Sequence, residues 1–145
     1  HWSARAATDR RMALWSAFVL ESGAGKTYIV GDTGFHDGIN YRAAADKHGQ
    51  FKLALLPVGA YNPRWFMEHM HQNPEEAVKG HLLCNAETSI AHHWGTFQLT
   101  NEPVEEPIER LAAARVEAGL TEKDFVVLLP GQTWRASSGA QIQTV

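Results

Sequence analysis

Residues 26–34 read KTYIVGDTG. Branched and aromatic side chains run directly into a Gly-Asp-Thr-Gly turn, the pattern of a strand that ends in a polar loop. Loops at the ends of strands tend to carry function, which marks Asp32 at once. Upstream, Leu14 to Ser22 (LWSAFVLES) has the same strand character, and Gly23-Ala24-Gly25 supplies the turn between the two, so residues 14–30 read as a hairpin. Downstream the periods alternate. Asn40 to His48 reads as a short helix stopped by Gly49, and Leu53 to Leu56 (LALL) as a buried strand. Asn73-Pro74-Glu75-Glu76 opens a helix that runs to about Leu83: Asn73 caps it, Pro74 suits the first helical position, and the two carboxylates suit the positive end of the dipole. Thr88 to His92 reads as a strand ending at His93-Trp94-Gly95-Thr96, Pro107 to Ala118 as an amphipathic helix stopped by Gly119, and Phe125 to Leu129 as the last strand. Alternating strands and helices predict an α/β (or α+β) chain with mainly buried strands. Pro57 to Gln72 reads as a long irregular segment carrying Tyr61, Trp65 and Phe66.

Composition limits the function classes. A chain of 145 residues, 44% hydrophobic and 20% charged, suits one globular domain and argues against disorder. A net charge of -3, with only Arg5, Arg10 and Arg11 clustered, gives no electrostatic case for nucleic acid. No apolar run approaches the roughly 18 residues of a transmembrane helix, and no signal peptide is visible. The single cysteine, Cys84, reads as a small buried residue, and its lack of a partner points to a reducing, cytoplasmic setting with peripheral membrane contact at most. The chain opens on His1 without an initiator methionine, from which an absent upstream segment is expected.

Eight histidines in one chain are the unusual feature. Imidazole is the commonest metal ligand, and with one cysteine the relevant chemistry is His/carboxylate, suited to zinc, iron or manganese. Asp32 and His93 each sit just past an expected strand, and strand ends converge on one rim of a sheet. His69-x-His71-x-Asn73-Pro74 imitates a ligand motif, but it has an amide where an acid is needed and proline where a histidine is needed.

The stretches GDTG (31–34), LALLPVGAYNPRWFMEHMHQNPEEA (53–77), HHWGTFQLTNEP (92–103) and FVVLLPG (125–131) together resemble the C-terminal half of a metallo-β-lactamase-fold hydrolase. The branch is the one of N-acylphosphatidylethanolamine-hydrolysing phospholipase D. The resemblance implies one half of an αββα sandwich: a mixed sheet with helices on its outer face, over residues 1–131, with 132–145 a loose tail. It implies a hydrolase, phosphodiesterase-like and acting on a phospholipid-like small molecule, whose water is activated by two metals, zinc first with iron or manganese as alternatives. On matching positions it makes Asp32 the carboxylate that bridges the metals, and hence the catalytic group, His93 a ligand of the second metal and His1 a ligand of the first. Tyr61, Trp65 and His71 fall on the substrate side.

One departure is large. The HxHxDH motif that supplies further ligands is absent. This chain is therefore expected to hold metal partially or not at all, to be inactive alone, and to leave an apolar inner sheet face that a missing N-terminal half or a second copy covers. The alternatives are a non-catalytic self-associating module, a lactonase or β-lactamase-like hydrolase of the same fold, and a copper centre built on the amine and ring of His1.

Overall fold

The computed structural model describes residues 2–3, 6–135 and 141–144, with side chains described over 6–135. His1 and Arg5 lie outside the described residues, and with them the expected ligand of the first metal.

Two short strands, β1 (Trp2–Ser3) and β2 (Ala13–Leu14), pair antiparallel ahead of the main sheet. The strand expected over Leu14 to Ser22 is therefore broken at Trp15-Ser16, because its first residue pairs elsewhere. β3 (Ala17–Ser22) and β4 (Gly25–Val30) form the hairpin, with Ser22 opposite Gly25. Connections then run through a 3-10 turn (His36–Gly38), α1 (Ile39–His48), β5 (Phe51–Pro57), the single turn α2 (Arg64–Met67), α3 (Pro74–Leu83), β6 (Ala86–His92), α4 (Glu106–Glu117) and β7 (Phe125–Val126). The sheet order is β3-β4-β5-β6-β7, with β4 to β7 parallel. β7 is shorter than its apolar run FVVLL. It lies at the sheet edge and pairs with β6 only at Ser89 and Ile90, so ladder length, not hydrophobicity, sets its end. Beyond it, β8 (Gln132–Arg135) pairs antiparallel with β9 (Gln141–Thr144), where the sequence pattern suggested no strand.

α3 starts where its capping signal says. Asn73 Oδ1 accepts from Glu76 N at 2.8 Å, and Glu76 Oε2 accepts from Asn73 N at 2.9 Å, a complete capping box. Each parallel strand lies beside its predecessor, and right-handed crossovers stepping in one direction put α1, α3 and α4 on the same face. One core follows from this: Tyr28, Val30, Ala54, Leu56, Ala91 and Phe125 of the sheet pack with Tyr41, Ala77, Val78 and Leu111 of the helices. Cys84 is buried in the same core.

The opposite face is apolar and open at its β3 edge. Phe18 and Leu20 are 66% and 60% exposed. Across the sheet Phe18 is followed by Ile29, Leu55, Ile90 and Val126 in register. The chain is thus a two-layer unit, a mixed sheet with helices on one face. Among the described residues no helix is long and apolar enough to cross a membrane.

Candidate metal centre

The C-terminal ends of β4, β5 and β6 share one rim, as parallel strands require. Asp32 lies two residues past β4, and His93 immediately past β6. His71 comes from the segment that joins β5 to α3. The strand end of β6 is turned sharply: His93 has φ of 61°, in the left-handed region. Its Nε2 then lies 3.3 Å from Asp32 Oδ1. One donor atom each from Asp32, His71 and His93 lies within 4.8 Å of the others. A tetrahedral cation with bonds of roughly 2.0–2.1 Å separates its donors by about 3.4 Å, so the Asp32–His93 pair already has the spacing of two ligands.

His71 strengthens the fit. It is 9% exposed, and its Nδ1 is buried without a hydrogen-bond partner. Leaving such a nitrogen unpaired costs about 1–3 kcal/mol, which coordination would relieve. Burial first, then the neighbouring His93, push its pKa below the ordinary histidine value, against an upward pull from Asp32 and Glu102. The ring is therefore neutral near pH 7, the form that ligates metals. Two imidazoles and a carboxylate suit zinc, iron or manganese. Rings close in around this point: His71 lies 5.2 Å from His93 and 5.7 Å from Trp15, centroid to centroid.

The backbone around these donors is tied down by buried hydrogen bonds. Gln72 is fully buried; its N–H donates to Thr33 O at 2.8 Å, its Nε2 donates to Pro57 O at 2.9 Å, and its Oε1 accepts from Tyr41 OH at 2.7 Å. His92 Nε2 donates to Val30 O at 2.7 Å, reaching across the end of β5 to tie β6 to β4. Burial keeps this ring neutral as well. Gly59 is required by close approach, since a Cβ there would run into the His93 carbonyl. Both carboxylate oxygens of Glu102 accept backbone N–H groups, from Tyr61 and Asn62, at 3.1 Å each, and so fix the loop after β5.

The three residues expected on the substrate side occupy different environments. His71 is at the centre. Trp65 stands on α2, 79% exposed. Tyr61 is buried, donates its hydroxyl to Glu106 Oε1 at 2.8 Å, and carries the Arg110 guanidinium 4.7 Å from its ring centroid. A cavity of about 220 Å3 opens beside His93, lined by Trp94, Thr96, Phe97 and Leu99. A second, of about 330 Å3, lies on the other side of Asp32 against Trp15, Tyr28 and Tyr41. The motif mimic dissolves: His69 points to solvent beside His36, and Asn73 is occupied in the capping box. Gln72, Glu102 and Arg64 were not singled out by the sequence reading. All three lie within the stretches that carry the resemblance, but a Gln, Glu or Arg in a loop looks like any other loop residue until the fold buries it.

Comparison with known proteins gives the family and the fold. A family profile described as "Beta-lactamase superfamily domain" matches residues 1–94. The chain is 39% identical over 139 residues to N-acyl-phosphatidylethanolamine-hydrolyzing phospholipase D 1 of Caenorhabditis elegans, covering 94% of this chain and 39% of that protein. It is 38% identical over 126 residues to the mitochondrial N-acyl-phosphatidylethanolamine-hydrolyzing phospholipase D of Saccharomyces cerevisiae, covering 86% of this chain and 27% of that one. The fold matches Igni18, a metallo hydrolase from Ignicoccus hospitalis, with a TM-score of 0.55 over 89% of this chain and 46% of that chain at 20% identity. The chain spans well under half the length of these curated relatives. By its matched residues and its fold, the chain belongs to the beta-lactamase superfamily, in the metallo-hydrolase fold and near the branch of the N-acyl-phosphatidylethanolamine-hydrolysing phospholipases D.

Proposed function

We propose that this chain supplies the Asp32/His93 side of the metal centre of a hydrolase that cleaves a phosphodiester in a phospholipid-like substrate. The observation that carries the reading is the 3.3 Å approach of His93 Nε2 to Asp32 Oδ1 at a rim where parallel strands end. Asp32 and His93 would hold a divalent cation, zinc first, with iron or manganese as alternatives, and Asp32 has a second oxygen free to bridge to a neighbour. When bound, such cations neutralise charge developing on phosphoryl oxygens and lower the pKa of water to roughly 7. The neutral His71 ring, expected on the substrate side, has a donor atom within 4.8 Å of those of Asp32 and His93 and would join them as a third ligand, while Trp94, Phe97 and Leu99 line an apolar cavity for the non-reacting part of the substrate. Exposed Trp65 on α2 and buried Tyr61 on the loop after β5 are the further residues assigned to the substrate side.

The HxHxDH donors are absent from this sequence, so the isolated chain is expected to hold metal weakly and to turn over no phosphodiester. The exposed Phe18 and Leu20 row supports an N-terminal counterpart as the partner that covers the open sheet face, with a second copy as the alternative. Buried Cys84 suits a reducing, cytoplasmic setting. The test is metal titration followed by elemental mass spectrometry, with a chromogenic phosphodiester assay beside it. The expected result is weak binding of one cation, at least tenfold weaker in Asp32→Ala, and turnover only after a segment bearing HxHxDH is supplied. Equal binding by Asp32→Ala would remove Asp32 from the centre.

A further inference from the structure

His71 is held in place from a direction that does not involve the donor cluster. Arg64 opens α2, seven residues before it. Its Nη1 donates to the His71 carbonyl at 2.8 Å, and its Nη2 donates to both carboxylate oxygens of Glu76 at 2.9 Å each. Glu76 is also the acid of the α3 capping box, through Asn73 N. The backbone between is drawn in as well, because His71 N donates to Met67 O at 2.8 Å. Residues 64 to 76 are thus a loop closed at its neck by one side chain. His71 sits at that neck, its carbonyl on the guanidinium and its ring at the rim beside His93.

We propose that Arg64 is the positioning residue for His71, fixing the loop so that the imidazole stays against His93 and Asp32. This rests on reading the three donors as a metal centre, but the positional claim can be measured without metal. Arg64 and Glu76 side chains are 28% and 23% exposed, so the pair is partly shielded from solvent. The contact needs a planar fork, with one nitrogen on a carbonyl and the other on a carboxylate. A lysine ammonium keeps the charge but cannot span both acceptors in that geometry. The Gln72 N–H bond to Thr33 O holds the far side of His71 and ties it to the Asp32 turn. The His71 backbone is therefore held from two sides, and Arg64 is the neighbour whose side chain bonds His71 itself.

The experiment is NMR of the full chain with labelled histidine, in the wild type, Arg64→Lys and Arg64→Gln. Tyr41 and Phe51 core resonances serve as the folding control, and His81, whose ring packs on Ser89 and Phe125, as the local control. The expected result is that Arg64→Gln weakens the cross-relaxation between the His71 ring and the rings of His93 and Trp15 by half or more. Arg64→Lys should fall between, and His81 should not change. In the same samples, affinity for Co2+ should fall about tenfold in Arg64→Gln, the usual cost of losing a group that orients a ligand. If Arg64→Gln does not fold, Glu76→Gln keeps an acceptor for the capping box while removing the charge, and should show the same loosening in milder form. Ring contacts at wild-type intensity in the folded variants would overturn the proposal and leave Arg64 as a support of α3 alone. Failure of the wild type to bind Co2+ would count against the metal reading, while the ring contacts still decide whether Arg64 positions His71.

Discussion

Two neighbouring rows of residues cross the sheet, and they are buried to different degrees. Val19, Tyr28, Ala54, Ser89 and Phe125 form one row in register; Phe18, Ile29, Leu55, Ile90 and Val126 form the next. The first contains alanine and serine, yet Ala54, Ser89 and Phe125 are fully buried. The second is apolar at every position, yet its first member is left in solvent. Hydrophobicity alone would rank them the other way round. What separates them is topology: three crossovers of one hand, stepping in one direction, place α1, α3 and α4 over the first row. The second row carries no helix: Phe18 at the β3 edge is exposed, Ile29, Leu55 and Ile90 are half-buried, and Val126 at the β7 edge is buried.

The comparison can be broken by truncating one residue on each side. Leu56 is fully buried beneath the helices, and Leu56→Ala should cost about 2–5 kcal/mol, read as a fall in the urea midpoint. Leu20→Ser on the open face should change stability by no more than about 0.5 kcal/mol. It should also reduce self-association in light scattering, because it removes exposed apolar surface. Equal costs at the two positions would mean that the open row is covered in solution by the chain itself. A smaller effect is expected where the covered layer meets the rim. Gln72→Leu leaves the buried Tyr41 hydroxyl and the Pro57 carbonyl without their partner, at about 1–3 kcal/mol. Because the backbone N–H of residue 72 still reaches Thr33, that loss should appear in stability while the contact of the His71 ring with His93 persists.

The covered layer was the more legible part of the sequence. Strand–helix alternation, the Asn73-Pro74-Glu75-Glu76 start and the Gly49 and Gly119 stops are local signals, and local hydrogen bonds realise them. From strand direction alone the rim was legible at Asp32 and His93, which follow strand ends; His71 entered only through the family resemblance, and on the substrate side. His71 belongs with them through a loop whose path depends on Arg64, Gln72 and Glu102. Those contacts join residues 7 to 41 positions apart, and no periodicity encodes them. Glu75 and Glu76 show the limit clearly. Helix-dipole reasoning gives them one shared role, but in the fold Glu76 pairs with Arg64 and Glu75 with Arg110, so the two carboxylates anchor different elements.

The smallest effect expected is a pH dependence that belongs to the covered layer alone. His81 on α3 is buried, its Nδ1 2.8 Å from Ser89 Oγ and its ring 5.8 Å from Phe125. Burial lowers its pKa below the ordinary value of 6.5, against a weaker upward pull from Asp124. The folded state therefore resists a proton that the unfolded chain accepts near pH 6.5. Between that pH and the lower folded value the unfolded state binds more protons, so stability falls as pH falls through this window. His71 and His92 are shifted in the same direction and add to the slope, so the wild-type profile cannot assign it. His81→Gln can, because glutamine keeps a polar partner for Ser89 and cannot take up the proton. The urea midpoint should drop less between pH 7.5 and pH 5.5 in His81→Gln than in the wild type. Identical drops would place the whole acid sensitivity at the rim and leave the helix-covered face indifferent to pH.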